Sequence, residues 1–128
     1  MSSESEAANT IKAYFNAFNA RDNETYLGTQ HFPHIRINDK GQVSIVQNAS
    51  ELLHLDEVLA YLTKKEGWHH STLDSLEVIH ASEIKVHFSI QFSRYKADGS
   101  KYAVYKSLWI ITKKDNHWGI QARSSYAP

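Results

Sequence analysis

From Ile84 to Phe92 every second residue is apolar: Ile84, Val86, Phe88, Ile90 and Phe92 alternate with Lys85, His87, Ser89, Gln91 and Ser93. A period of two over nine or more residues is the signature of a strand with one buried face, and no helix accommodates it. Ala97-Asp98-Gly99-Ser100 follows as a hairpin turn, Tyr102 to Thr112 reads as the returning strand, Lys114-Asp115-Asn116 turns again, and Trp118 to Tyr126 closes the run. With the stretch from Trp68 onward as the first of the set, these residues predict a meander of four long antiparallel strands.

The first half is helical in pattern. Ser3 and Glu6 have capping-box spacing, and Ile11, Tyr14, Phe15 and Phe18 then recur at three- and four-residue intervals. Asp22 is placed to cap a short second helix through about Gln30, which Pro33 ends. His34-Ile35-Arg36-Ile37-Asn38 alternates as a short strand, Asp39-Lys40-Gly41 is its turn, and Val43-Ser44-Ile45-Val46 returns. Ser50 is expected to cap a third helix whose buried face is Leu52, Leu55, Val58, Leu59 and Leu62, with Gly67 at its stop. The expected order is ααββαββββ, an α+β domain covering 7–128, with residues 1–6 as a frayed or disordered tail.

A chain of 128 residues suits one core. Fourteen basic and fourteen acidic side chains cancel, so no bulk field attracts nucleic acid or an anionic membrane. There is no cysteine, which excludes disulfides, thiolate zinc sites and cysteine nucleophiles. The polar, acidic start, Met1-Ser2-Ser3-Glu4-Ser5-Glu6, is unlike a signal peptide, and no apolar run is long enough to cross a bilayer; a cytoplasmic location is the expectation. The sequons Asn23-Glu24-Thr25 and Asn48-Ala49-Ser50 are read as helix-cap chemistry. Glycine-rich phosphate loops and a Gly-x-Ser-x-Gly elbow are absent from the sequence, which sets aside nucleotide hydrolysis and nucleophile-elbow esterases.

The order of elements, together with Tyr14-Phe15-Asn16-Ala17-Phe18-Asn19-Ala20-Arg21-Asp22, Arg94-Tyr95-Lys96-Ala97-Asp98-Gly99 and Trp118-Gly119-Ile120-Gln121-Ala122-Arg123-Ser124, resembles the nuclear-transport-factor-2-like superfamily in its SnoaL-like and ketosteroid-isomerase-like branches. The resemblance implies a cystatin-like cone: three helices packed on a strongly curved, mainly antiparallel sheet, with a pocket inside. It does not imply one chemistry, since such folds host many.

Isomerase chemistry of that type needs a carboxylate base and acidic donors around a developing enolate. The resemblance puts a donor at Tyr14. It puts the base at Asn38, with Asp39 one residue later on the opposite face, and the second donor at Trp109, so two of three roles are lost. A lyase or dehydratase reading would use His70 and Asp74, which with Thr72 share an inward face if alternation holds back from Leu76, and His34 near the pocket wall. His31-Phe32-Pro33-His34 and His69-His70 offer imidazoles, but without thiolates or a His-x-x-x-His pair no metal is expected, and no cofactor.

The expected pocket wall comprises Tyr14, Phe18, His34 and Tyr61 from the first half. From the second it takes Trp68, Phe88 and Arg94, then Tyr105, Trp109 and Trp118, with Arg94 at the rim. The strand Ala103–Ile111 is apolar on both faces, with Val104, Leu108 and Ile110 opposite Tyr105, Trp109 and Ile111. A sheet with one solvated face should not be. A homodimer through the outer face is therefore expected, using Val104, Leu108, Ile110, His87 and Arg123. Two functions remain open: a domain that holds a small, largely apolar molecule, catalytic or not, and an association module working through that outer face.

Overall fold

A computed structural model of the chain describes residues 2–128. Helix α1 spans Ser3–Ala20, α2 Asn23–Gly28 and α3 Leu55–Glu66. The strands are β1 Gln30–Ile37, β2 Val43–Val46, β3 Trp68–Ala81, β4 Lys85–Lys96, β5 Lys101–Lys114 and β6 His117–Ser125. The order is the expected α+β one, and all six strands lie in one open sheet, β2-β1-β6-β5-β4-β3. Every neighbouring pair is antiparallel except β1 with β6, which is parallel.

The helix starts differ from expectation for local reasons. The Ser2 side chain, not that of Ser3, caps α1 by accepting from the Ser5 amide at 3.1 Å. Glu6 accepts from Trp118 Nε1 at 3.0 Å, which pins the first turn to β6. Residues 3–6 are therefore helix rather than a frayed tail, and Met1 lies outside the described residues. Asn48, not Ser50, caps a 3-10 turn at Ala49–Glu51, and α3 begins only at Leu55, where the His54 ring accepts from the Asp56 amide. Asn23 reaches across from α2 to accept from the Leu55 amide at 2.8 Å, so both sequon asparagines act as caps. Gly67 ends α3 at φ 75°, a conformation that favours glycine. Pro33 does not end a helix. It sits within β1 where the register against β6 shifts, a place that tolerates a missing donor.

Helix α1 lies across the inner face of the sheet, touching β3, β4 and β6. Its buried stripe, Ala7, Ile11, Tyr14, Phe15 and Phe18, meets Trp68, Phe88, Ile90 and Trp109 from the strands and Leu55, Leu59 and Leu62 from α3. Asn19 clamps α1 to β3, its amide donating to the Ser71 carbonyl and accepting from the Ser71 amide at 2.8 and 2.9 Å. Both α1 and α3 pack on this inner core, and among the described residues no helix lies on the outer face.

Two bulges decide which side chains enter the cone. In β3 the register shifts between Leu73 and Ser75, so Leu73 faces Phe92 and Leu76 faces Ile90 while Asp74 is the extra residue. In β6 it shifts at Ile110/Ile111 of the partner strand: Ile120 pairs with Ile111, but Ala122 pairs with Ile110 and Arg123 with Trp109. Each bulge reverses the alternation beyond it. Among the described residues no helix is long and apolar enough to cross a membrane.

Candidate functional site: an arginine-lined cavity

The inner face encloses a cavity of about 440 Å³ between α1, α3 and the strands β1, β4 and β6, within the size range of ligand sites. A smaller cleft of about 60 Å³ adjoins it, floored by Phe15, Phe92 and Trp109. Both spaces share Tyr14, Phe18, Arg36, Arg94 and Arg123.

Three guanidiniums therefore meet in one concave space. Arg123 is the most constrained. Its Nε donates to His34 Nε2 at 3.1 Å, its Nη1 donates to the Tyr14 hydroxyl at 3.0 Å, and the charge lies over the Tyr14 and Trp109 rings at 5.5 and 5.4 Å. Arg36 stands at the exposed mouth. Its pKa is lowered from the usual arginine value chiefly by the Arg123 charge. Arg94 donates through Nη1 to Glu66 at 3.1 Å and to the Tyr105 hydroxyl at 3.4 Å, and lies 4.7 Å from the Tyr105 ring. Its Nε is buried without a partner. Tyr102 donates to the same Glu66 at 2.6 Å, and its phenol is pushed up by burial first and by that bond second.

His34 is fully buried, with Nδ1 at 3.0 Å from the Ile120 carbonyl. A carbonyl only accepts, so Nδ1 carries the proton and the Nε2 lone pair is the one that Arg123 uses. Burial, then the Arg123 charge, pulls this histidine down to about 3. It is a neutral strut for Arg123 with no lone pair to offer a substrate. Burial also raises the Tyr26 phenol.

Tyr14, Phe18, His34, Arg94 and Trp109 line these two spaces, and Tyr105 stands behind Arg94. Trp68 and Phe88 are core, as is Trp118, which faces Glu6 rather than the arginines. Tyr61 is 61% exposed on the outer side of α3 and does not reach the cavity, because Leu59 and Leu62 take the inward positions. Arg123, expected on the outer face, points inward because of the β6 bulge. The β3 bulge has the opposite effect on the proposed His–Asp pair. Asp74 is exposed and accepts from Thr72 at 2.8 Å and from Ser93, and His70 stacks on Tyr95 at 4.7 Å between ring centroids. Asp39 is exposed in the β1–β2 turn, where Asn38 accepts from the Lys40 and Gln42 amides. Among the described residues no three His, Asp or Glu side chains gather to hold a metal.

Arg36 is the charged wall residue absent from the expected pocket, although it lies two positions from His34 and so shares its face; Phe15, Tyr26 and Phe92 also line the two spaces. The only glutamate lining the larger space besides the ion-paired region is Glu51, whose carboxylate accepts from the Gln47 amide and Asn48 Nδ2 on the exposed side. Among the described residues no carboxylate but that of Glu51, already engaged by Gln47 and Asn48, lines the cavity. What it offers is planar donor forks beside aromatic rings, an arrangement that holds an anion.

No functionally curated protein matches the sequence. Among solved structures, the chain is similar to an NTF2-like protein with a cystatin-like fold from Novosphingobium aromaticivorans (12% identity, TM-score 0.75, covering 96% of this chain and 80% of that one). It is also similar to a cystatin-like protein of unknown function from Nostoc punctiforme (11%, TM-score 0.74, 96% and 89%) and to a ketosteroid isomerase-like protein from Erwinia carotovora atroseptica (17%, TM-score 0.68, 96% and 94%). These likenesses establish the cystatin-like cone. A family model described as NTF2-like protein (DUF6841) matches residues 4–128, and the chain belongs to that NTF2-like family.

Proposed function

We propose that the domain binds a small organic anion inside the cone and does not catalyse a reaction there. The observation that carries this is the juxtaposition of Arg36 and Arg123 on one cavity wall, where neither pairs with a carboxylate among the described residues. Two like charges held together oppose folding unless something offsets them, and a ligand anion is the natural partner. Phe15, Phe92 and Trp109 supply the apolar floor, so the ligand combines an anionic head with an apolar body. This modifies the expectation of a largely apolar molecule. The enzymatic alternatives lose their bases: His34 is engaged, Asp39 is in a solvent-exposed turn, and the His70/Asp74 pair belongs to the outer face.

The test is calorimetry with small carboxylates against their neutral amides. Carboxylates bind and amides do not, and Arg36→Met weakens the carboxylates by about tenfold or more. Equal binding of acid and amide would refute the reading.

A second reading concerns the outer face, and the two are compatible. Ile35, Ile37, Leu108, Ile110 and Ala122 line a shallow apolar groove of about 90 Å³ there, with Arg123 and Ser124 at its edge. We propose that a second copy of the chain covers it, with Val104 and His87 at its margins.

A further inference from the structure

The cavity has two separate polar poles with an aromatic floor between them. At one pole Arg36, Arg123, His34 and Tyr14 cluster; at the other Arg94 stands with Glu66 and Tyr105. The two are rooted on different strands, Arg94 on β4 opposite Ala103 and Arg123 on β6 opposite Trp109, yet both line one cleft of about 60 Å³, so the two ends of a short diacid can reach them. Between the two guanidiniums runs a continuous series of rings: Tyr105 to Phe92 at 5.1 Å, Phe92 to Phe15 at 5.5 Å, and Phe15 to Trp109 at 5.6 Å.

The poles also differ in how they are satisfied. Arg36 and Arg123 carry two positive charges without a carboxylate. Arg94 is neutralised by Glu66, yet its buried Nε has no acceptor. The Glu66 pair occupies Nη1, and Nε is sealed from the cavity, so Nη2, which makes no hydrogen bond among the described residues, is the donor that a ligand oxygen would meet. A ligand with one anionic end serves the first pole and leaves the second donor unmet.

Building on the proposed anion site, we infer that the ligand is a dicarboxylate with an apolar spacer, one carboxylate between Arg36 and Arg123 and the other on Arg94. Glu66 competes with the second carboxylate for Arg94, which sets the affinity of that end. A phosphate monoester has the right charge but concentrates it at one pole.

The experiment is calorimetry with two matched pairs, benzoate against terephthalate and hexanoate against adipate, on the wild-type chain, Arg94→Lys and Glu66→Gln. In the wild type the better diacid binds about tenfold more tightly than its monoacid. Arg94→Lys keeps a cation for Glu66 but lacks the planar donor fork, so the advantage shrinks to about twofold. Glu66→Gln keeps an acceptor for Tyr102 and removes the competing charge, so the diacid binds more tightly still. Monoacids and diacids binding alike, or Glu66→Gln weakening the diacid, would overturn the inference while leaving the anion site standing. A phosphate monoester that outbinds both diacids overturns it in the same way. Binding of no carboxylate at all would overturn both.

Discussion

Arg123 Nε donates to Nε2 of a histidine, His34, whose other nitrogen is committed to the Ile120 carbonyl. A cation is thus oriented by a neutral imidazole, and the bond exists only while His34 stays unprotonated. Because burial pulls His34 down to about 3 in the folded chain, the unfolded chain takes up a proton near pH ~6.5 that the folded one refuses.

Stability is accordingly full above that unfolded value and is lost as pH falls from about 6.5 towards 3, at up to ~1.4 kcal/mol per pH unit from this residue. Urea denaturation at pH 6.5 and 5.0 checks it: His34 accounts for a loss of about 2 kcal/mol. His34→Asn keeps a donor for Ile120 and cannot protonate, so its loss over the same interval is smaller by that amount. The His31 ring, also lowered, chiefly by burial, leaves a residual slope of the same sign. Equal losses in variant and wild type would mean that His34 is not the buried neutral group.

Among the described residues Arg36 makes no hydrogen bond through its side chain, and it pairs in register with Arg123, so the proposed anion site assigns it to ligand rather than to fold. Arg36→Met leaves unfolding free energy within about 0.5 kcal/mol of wild type, or slightly above it, while carboxylate affinity falls. Salt gives a second readout: screening relieves the Arg36–Arg123 repulsion, so added sodium chloride raises the wild-type Tm more than that of Arg36→Met. A variant that melts clearly lower without ligand would assign Arg36 a structural role.

How much of this was written in the chain depends on the kind of signal. Alternation in Ile84–Phe92 and the stripe Ile11, Tyr14, Phe15 and Phe18 are periodic, and periodicity survives into the fold intact. Tyr14, His34, Arg94 and Trp109 could be placed near one another for that reason. Arg36 was equally legible, being on the face of His34 in a strand already recognised. Arg123 and Asp74 were not. Each sits at or just past a bulge, a one-residue event with no composition of its own here, and each ends on the opposite face from the one strict alternation assigns. The parallel pairing of β1 with β6 was hidden for a different reason: the sequence carries strand faces, not neighbours.

Gly119 occupies a close approach. A Cβ there would lie 2.5 Å from the His31 ring, which cannot easily withdraw because Nδ1 donates to Thr112 at 2.9 Å and the ring stands against His117 at 5.4 Å. Thr112 in turn donates to Gln121, the bulged residue two positions before Arg123. Gly119→Ala therefore costs about 1–3 kcal/mol by overpacking. It also loosens the β6 bulge, so carboxylate affinity falls even at temperatures where the variant is folded. Thermal melts and calorimetry on the same sample separate the effects, and a variant as stable as wild type would show that His31 moves aside freely.

Leu108 and Ile110 lie half-buried on the outer face of β5, directly opposite the inward Trp109 and Ile111. If a second copy covers this face, an aspartate at either position places an unpaired carboxylate in the interface, where desolvation has nothing to offset it. Leu108→Asp or Ile110→Asp then elutes as a monomer and scatters light with half the wild-type mass. Its cavity is on the far side of the sheet, so carboxylate binding persists. Wild-type mass in both variants, or a wild-type chain already monomeric at working concentration, would refute the dimer. The anion site would be untouched by that outcome, because all three arginines of the cavity come from one chain.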